Sequence, residues 1–279
     1  MVDEFRDRVL IGEIYLPVDR LVAYYGKDLS GAHLPFNVSL LSAPWNARAI
    51  AKLIDDYERA LPTAAWPNWV LGNHDRPRVA SRVGQAQARV AAMLLLTLRG
   101  TPTLYYGDEI GMQQVAIAKD QVRDPFEKNV PGIGVGRDGC RTPMQWNGEA
   151  HGGFTTGKPW LPLANDYAQE NVANLSAGTR SVLNLYRAMI KLRKVAPELV
   201  AGSYAPVAAT IDLLAYRREY EGNVLLIVLN LGADPISIGS DTMAFPGEIL
   251  LSSNLDRTGE TVSGGLVLRG DEGLIVRQR

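Results

Sequence analysis

Trp69-Val70-Leu71-Gly72-Asn73-His74-Asp75 is an apolar run that reads as a buried strand and ends in an amide, an imidazole and a carboxylate. Parallel barrels keep their active sites at that end of their strands. A second strand-like run, Arg8-Val9-Leu10-Ile11-Gly12-Glu13-Ile14-Tyr15, places a carboxylate in the corresponding position 62 residues earlier. That is about two strand-plus-helix units of a barrel that spends roughly 31 residues on each. The spacing predicts that Glu13 and Asp75 meet across one pocket.

Working outward, Pro17 to Tyr25 reads as a short helix, His33 to Leu41 as an irregular second strand, and Asn46 as the cap of a helix reaching about Leu61. Arg78 to Arg99 has the length and apolar spacing of one long helix, which Gly100 stops. Thr101 to Gly107 is a fourth strand, with Pro102 tolerable only near its start. Four alternating strand and helix units imply a parallel sheet. From Asp108 to about Gly178 the chain is rich in Gly, Pro, Asn and Asp, and a loop this long is expected to overhang a site. Thr179 to Lys194 returns to helical spacing, with Val182, Leu185, Tyr186, Met189, Ile190 and Val195 as its apolar face and Pro197 ending it. Beyond Leu199 the pattern changes to short β-rich runs, Ile211–Tyr216, Val224–Asn230, Gly247–Leu251 and Gly265–Leu268, which read as a small antiparallel β domain.

Composition narrows the function classes. Basic and acidic side chains number 29 and 30, for a net charge of −1, which gives no basic face for nucleic acid or anionic membrane. The longest strongly apolar stretch, Val90 to Leu98, is far shorter than the roughly 20 residues of a membrane span. Met1 to Arg6 has neither a basic start nor an apolar core of a secretory signal, so a cytoplasmic setting is expected. The single cysteine, Cys140, excludes an intrachain disulfide and a cysteine-rich zinc site and reads as structural.

Two carboxylates facing one pocket are the minimum equipment for glycoside hydrolysis, one protonated to serve the leaving oxygen and another to stabilise the cationic centre. Ile11, Gly12, Ile14 and Tyr15 around Glu13 are expected to desolvate it and raise its pKa, whereas His74, Arg76 and Arg78 are expected to keep Asp75 ionised. The alternative for Glu13 is a solvated strand-end cap or half of an ion pair. A metal at His74 and Asp75 is disfavoured, because none of the three histidines is paired at ligand spacing. Arg137 and Arg141, in Gly136-Arg137-Asp138-Gly139-Cys140-Arg141-Thr142-Pro143-Met144-Gln145-Trp146, offer bidentate donors beside an aromatic platform suited to a sugar. A surface loop pinned by Arg–Asp pairs would look the same. Pro131 to Gly136 is Gly-rich but lacks the Lys-Ser/Thr helix start of a phosphate loop.

Together, Ile11-Gly12-Glu13-Ile14-Tyr15, Gly72-Asn73-His74-Asp75, Gly100 to Met112 and Arg137 to Trp146 resemble the alpha-amylase family of glycoside hydrolases, in its alpha-glucosidase, oligo-1,6-glucosidase and sucrose-acting branch. The resemblance implies an α/β fold, the C-terminal half of a (β/α)8 TIM barrel (strands five to eight, residues 1–198), followed by a small antiparallel β-sandwich domain (199–279). It implies Glu13 as general acid/base, Asp75 as transition-state stabiliser and His74 as a donor to sugar hydroxyls, with Asn73 beside it. Arg137 would help anchor the non-reducing end and Arg141 would lie near the leaving group. No cofactor and no metal is implied. The substrate class is short oligosaccharides with terminal alpha-linked glucose, or sucrose, handled by a retaining mechanism.

The family's nucleophile motif has no match in these residues. A half barrel leaves strand edges unpaired, so the expectations are an incomplete copy that is nearly inactive alone and either self-associates or pairs with an N-terminal half-barrel. The alternative from another class is a non-catalytic amylase-like protein used for interaction or sugar binding.

Overall fold

A computed structural model of the chain describes residues 7–239 and 246–278. The segment Met1 to Arg6, on which the secretion argument rests, lies outside them.

The first half runs β1 (Ile11–Gly12), α1 (Val18–Leu21), β2 (Leu34–Pro35), α2 (Ala47–Ala60), β3 (Asn68–Val70), α3 (Val79–Val83), α4 (Gln85–Thr97) and β4 (Thr101–Thr103). All four strands are parallel and neighbour one another in chain order. Ile11 pairs with Leu34, an isolated bridge joins Asn37 to Trp69, and Trp69 pairs in turn with Pro102. The hydrogen-bonded strands are much shorter than the sequence runs suggest, two or three residues each.

Local chemistry accounts for the helices. Asn46 caps α2 by accepting from the Ala49 N–H, and Ile50, Ile54 and Tyr57 recur at helical spacing to face the core. The expected single helix over 78–99 is two helices, because Gly84 adopts φ +87° and breaks the ladder between α3 and α4. Val90 through Thr97 of α4 are all buried.

Between β4 and the next long helix lie short turns and two short helices, α5 (Pro125–Asn129) and α6 (Val172–Ala177). Helix α7 (Val182–Val195) buries Leu183, Leu185, Tyr186 and Met189. Two members of its expected apolar face do not join the core: Ile190 is 37% exposed and Val195 71%. Pro197 starts another helical turn, α8 (Pro197–Val200), where a missing N–H costs nothing.

The C-terminal part holds β5 (Ser203–Ala209), β6 (Leu213–Tyr220), β7 (Asn223–Asn230), β8 (Ile236–Gly239), β9 (Gly247–Ser252), β10 (Thr261–Val262), β11 (Gly265–Leu268) and β12 (Gly273–Gln278). Six form an antiparallel sheet in the order β10-β9-β12-β7-β6-β5, and β8 pairs with β11 as a separate ribbon. Strand alternation splits the sheet's side chains between two layers. Leu214, Tyr216, Leu225, Ile227, Leu229 and Ile275 join α2, α4 and α7 in one hydrophobic cluster. Leu213, Ala215, Leu226, Val228, Leu274 and Val276 pack instead with Ile238, Leu266 and Leu268 of the ribbon. The large sheet is therefore covered by helices on one face and by the ribbon on the other.

Polar struts cross the same boundary. Gln87 of α4 donates to the Asn230 carbonyl and to Asp271, and Arg218 of β6, fully buried, donates to the carbonyls of Thr97, Gly202 and Ser203 at 2.5, 2.9 and 3.1 Å. No helix among the described residues is long and apolar enough to cross a membrane.

Candidate active site

Trp69 fixes the strand that carries the site. Its side chain is fully buried against Tyr57, with ring centroids 5.2 Å apart, and its indole N–H donates to the Arg99 carbonyl at 2.7 Å. Pleat alternation and a chain turn then free the next residues. Arg82 holds the end of the strand by donating to the carbonyls of Leu71, Leu40 and Leu41. Beyond it the Asp75 N–H returns to the Asn73 side chain at 3.1 Å, a local turn that points His74 and Asp75 outward.

Glu13, at the end of β1, meets this turn. One ligand-type atom from each of Glu13, His74 and Asp75 lies within 4.8 Å of the others. Asn73 donates to the Tyr15 hydroxyl at 2.6 Å, tying the two strand ends together. Glu13 is exposed, so the enclosure expected from its apolar neighbours is absent: Ile14 turns inward while Ile11 and Tyr15 remain in contact with solvent.

The charge partners of Asp75 also differ from expectation. Arg76 makes no ion pair with it, and Arg78 turns into the interior with no exposure at all. Asp75 Oδ1 instead accepts from Arg137 Nη1 at 3.2 Å and Arg141 Nη2 at 3.0 Å, with His74 Nε2 at 3.4 Å. Arg141 also donates to the His74 carbonyl at 2.9 Å. The long loop thus reaches the site through the two arginines singled out in the sequence, and both guanidiniums close on one Asp75 oxygen.

A residue missed in the sequence holds Arg137 in place. The buried Asp124 accepts from Arg137 Nε and Nη2 at 2.9 and 2.8 Å, from its backbone N–H at 2.7 Å, and from the Phe126 N–H as cap of α5. The guanidinium bonds hold the Asp124 carboxyl well below the usual carboxylate range. Phe126 covers the guanidinium, 4.6 Å from ring centroid to Cζ. The Asp124-Pro125 pair, a capping residue before an N1 proline, was the available signal.

Cys140 is buried beneath, its Sγ 3.3 Å from the His74 carbonyl and 3.1 Å from that of Arg137, and burial pushes its thiol pKa up. That is the surrounding of an inert, packed thiol. A cavity of about 460 Å³ opens beside the cluster, lined by Tyr15, Asp75, Arg76, Phe126 and Arg137 among others. Glu13, His74 and Asp75 are the one described group whose ligand atoms converge as a metal site would require. Arg137 and Arg141 on the same Asp75 oxygen oppose a cation there.

The chain has known relatives. The chain is 34% identical to Maltase A1 of Drosophila melanogaster over 84% of its own length and 43% of that protein's. It is 31% identical to the human amino acid transporter heavy chain SLC3A1, over 92% of this chain and 38% of that one. Among solved structures it superposes on the alpha-glucosyl transfer enzyme XgtA with a TM-score of 0.88 and 32% identity, covering all of this chain and 52% of that one. It spans less than half the length of these two protein relatives. Residues 1–202 match the alpha amylase catalytic domain, and with the parallel strands and the Glu13/Asp75 cluster in place, the chain belongs to the alpha-amylase family of TIM-barrel enzymes.

Proposed function

We propose that this chain carries the acid/base half of a retaining alpha-glucosidase site, acting on terminal alpha-linked glucose of short oligosaccharides or sucrose. The observation that carries the reading is the convergence of Glu13, His74 and Asp75 within 4.8 Å, with two arginines fixed on Asp75. Exposed Glu13 reaches a leaving oxygen as general acid and later activates water. Asp75 and His74 address the sugar ring as positive charge develops on it, and Asn73 braces the turn. Arg137 and Arg141 hold Asp75 in position and line the sugar site. A retaining reaction needs a nucleophilic carboxylate about 5 to 5.5 Å from the acid.

In this reading residues 1–198 correspond to strands five to eight of the barrel and 199–279 to a β domain, and a complementing half-barrel segment supplies the nucleophile. The solvent-facing Val9, Leu10 and Ile11 at one edge, and Leu104 and Tyr106 at the other, suit such a partner or a second copy of the chain. The test is hydrolysis of p-nitrophenyl alpha-glucoside by the chain alone and after addition of a separately expressed N-terminal half from a relative, with Glu13→Gln as control. Activity only on complementation, lost in Glu13→Gln, supports the proposal. Turnover by the chain alone would show that the nucleophile has been misassigned.

One observation favours a second reading. The similarity to the transporter heavy chain fits an amylase-like protein used for interaction, and silence after complementation would favour it.

A further inference from the structure

Beneath the turn that carries Asn73, His74 and Asp75 lies another carboxyl, which the proposed chemistry does not use. Asp108 is 4% exposed. A Cβ added at Gly72 would sit 2.3 Å from its Oδ2, so the carboxyl is pressed against the backbone that begins the turn. Arg78 faces it, fully enclosed, with Nη1 3.9 Å from Asp108 Oδ1 and donating to the Tyr106 carbonyl at 2.6 Å. The guanidinium lies 5.1 and 4.7 Å from the ring centres of Tyr105 and Tyr106. Its Nε and Nη2, like Asp108 Oδ1, are buried without a hydrogen-bond partner.

The two tyrosines continue the contact toward the site. The Tyr105 hydroxyl donates to the Cys140 carbonyl at 3.0 Å and the Tyr106 hydroxyl to the Thr142 carbonyl at 2.6 Å. Between those carbonyls stands Arg141, one of the two arginines on Asp75.

We infer that Asp108 is a positioning residue for this site: the charge on its carboxyl, passed through Arg78 and the Tyr105–Tyr106 pair, sets where the Arg137–Arg141 turn holds His74 and Asp75. The inference rests on the proposed function only in taking those as the working groups. A buried guanidinium with spare donors follows its counter-charge, since leaving it unpaired is costly. Ionised Asp108 draws Arg78 from 3.9 Å toward a closed pair, and neutral Asp108 releases it to the tyrosine faces. Two arrangements of one packed element are what coupling between sites requires. The other charged or titratable groups facing Asp108 are Arg82, which favours its ionised form, Glu109, which opposes it, and the buried Tyr186 hydroxyl on α7. Burial outweighs the arginines and lifts the carboxyl to about 7, so both states are populated near neutrality.

The test uses side-chain NMR of the whole chain without substrate. Only His33, His74 and His151 contribute imidazole signals. The expected result is a second inflection in the pH dependence of the His74 resonances, and in the Asp75 carboxyl carbon, sharing its midpoint with the Asp108 carboxyl carbon. Asp108→Asn abolishes that inflection and leaves His33 and His151 unchanged. The inference is overturned if Asp108 titrates without a companion inflection at His74 and Asp75, if Asp108 does not titrate between pH 5 and about 9, or if the inflection survives in Asp108→Asn. Should that variant fail to fold, the wild-type comparison decides alone. Failure of the hydrolysis assay leaves this coupling standing, and loss of the coupling leaves the glycosidase proposal standing.

Discussion

Replacing Asp124 by Asn keeps the shape of a buried side chain and removes its charge. In the native chain the carboxylate accepts four N–H groups, two of them from the Arg137 guanidinium at 2.8 and 2.9 Å. The amide keeps one acceptor and turns an NH2 toward donors. Hydrogen bonds to charged groups contribute about 1.5–3 kcal/mol each. Water reaches Arg137, which is 24% exposed, and offsets part of the loss, so the expected cost at pH 7 is about 2–3 kcal/mol. The pH dependence has a definite sign. The folded-state carboxyl is held below its unfolded value, so the stabilisation is fully present above an unfolded pKa of about 3.9 and is lost as pH falls through the folded value. The gap between wild type and Asp124→Asn should therefore narrow by about 1 kcal/mol at pH 3. Urea unfolding followed by tryptophan fluorescence at pH 7 and pH 3 measures both quantities. A gap below about 0.5 kcal/mol at pH 7, or one that does not change on acidification, would refute the account of Arg137 as a residue held by Asp124.

Three further outcomes follow from the same structure. Arg218→Ala leaves the buried carbonyls of Thr97 and Gly202 without this donor and opens a cavity, so it should cost at least about 3 kcal/mol by denaturant midpoint; a loss under about 1 kcal/mol would show that water replaces the strut. Asn46→Ala removes the cap of α2 and should cost about 1 kcal/mol, while Asn46→Asp should be close to neutral; equal losses in both would point to packing instead. Asp108, raised from 3.8 to about 7 by burial, keeps its proton in the folded state after the unfolded chain has lost it, so stability falls as pH rises from about 4 to 7. The decrease between pH 5 and pH 8 should be roughly 2.5 kcal/mol and should vanish in Asp108→Asn, whereas parallel curves for the two proteins would contradict it.

Much of the fold was legible because period and punctuation agree in the chain. Asn46 followed by Ile50, Ile54 and Tyr57 gives a helix start and its buried face, and Gly265–Leu268 was found with its true bounds. Where the reading failed, tertiary context decided. Gly84 sits inside an apolar pattern that continues past it, and only its positive φ separates α3 from α4. Ser203–Ala209 and Ile236–Gly239 lack the apolar density that marks the other strands, whereas Gly273–Gln278, with Leu274-Ile275-Val276 after the Gly270-Asp271 turn, carries the signal and is absent from the strands read in the sequence. At the site, the strand-end positions of Glu13 and Asp75 follow from apolar runs that end in polar side chains. The partners of Asp75 do not, because the nearest arginines in sequence, Arg76 and Arg78, point elsewhere and those 62 and 66 residues away close on it. The exposure of Glu13 was equally hidden, since apolar neighbours in sequence need not be neighbours in space.

The cluster joining α4 to the far sheet has a consequence during synthesis. Helix α4 leaves the ribosome complete at Thr97, yet the strand β12 that helps cover it begins at Gly273, 176 residues later. At translation rates of about 5–20 residues per second, the face of Val90 to Thr97 that meets the sheet waits roughly 10 to 35 s for its last strand. During that time the nascent chain presents an apolar helix that α2 and, once made, α7 cover only in part, long enough for a chaperone to engage it and for neighbouring chains on a polysome to compete for it. Slowing elongation after residue 97 should lower the soluble yield of this chain more than slowing it before that point.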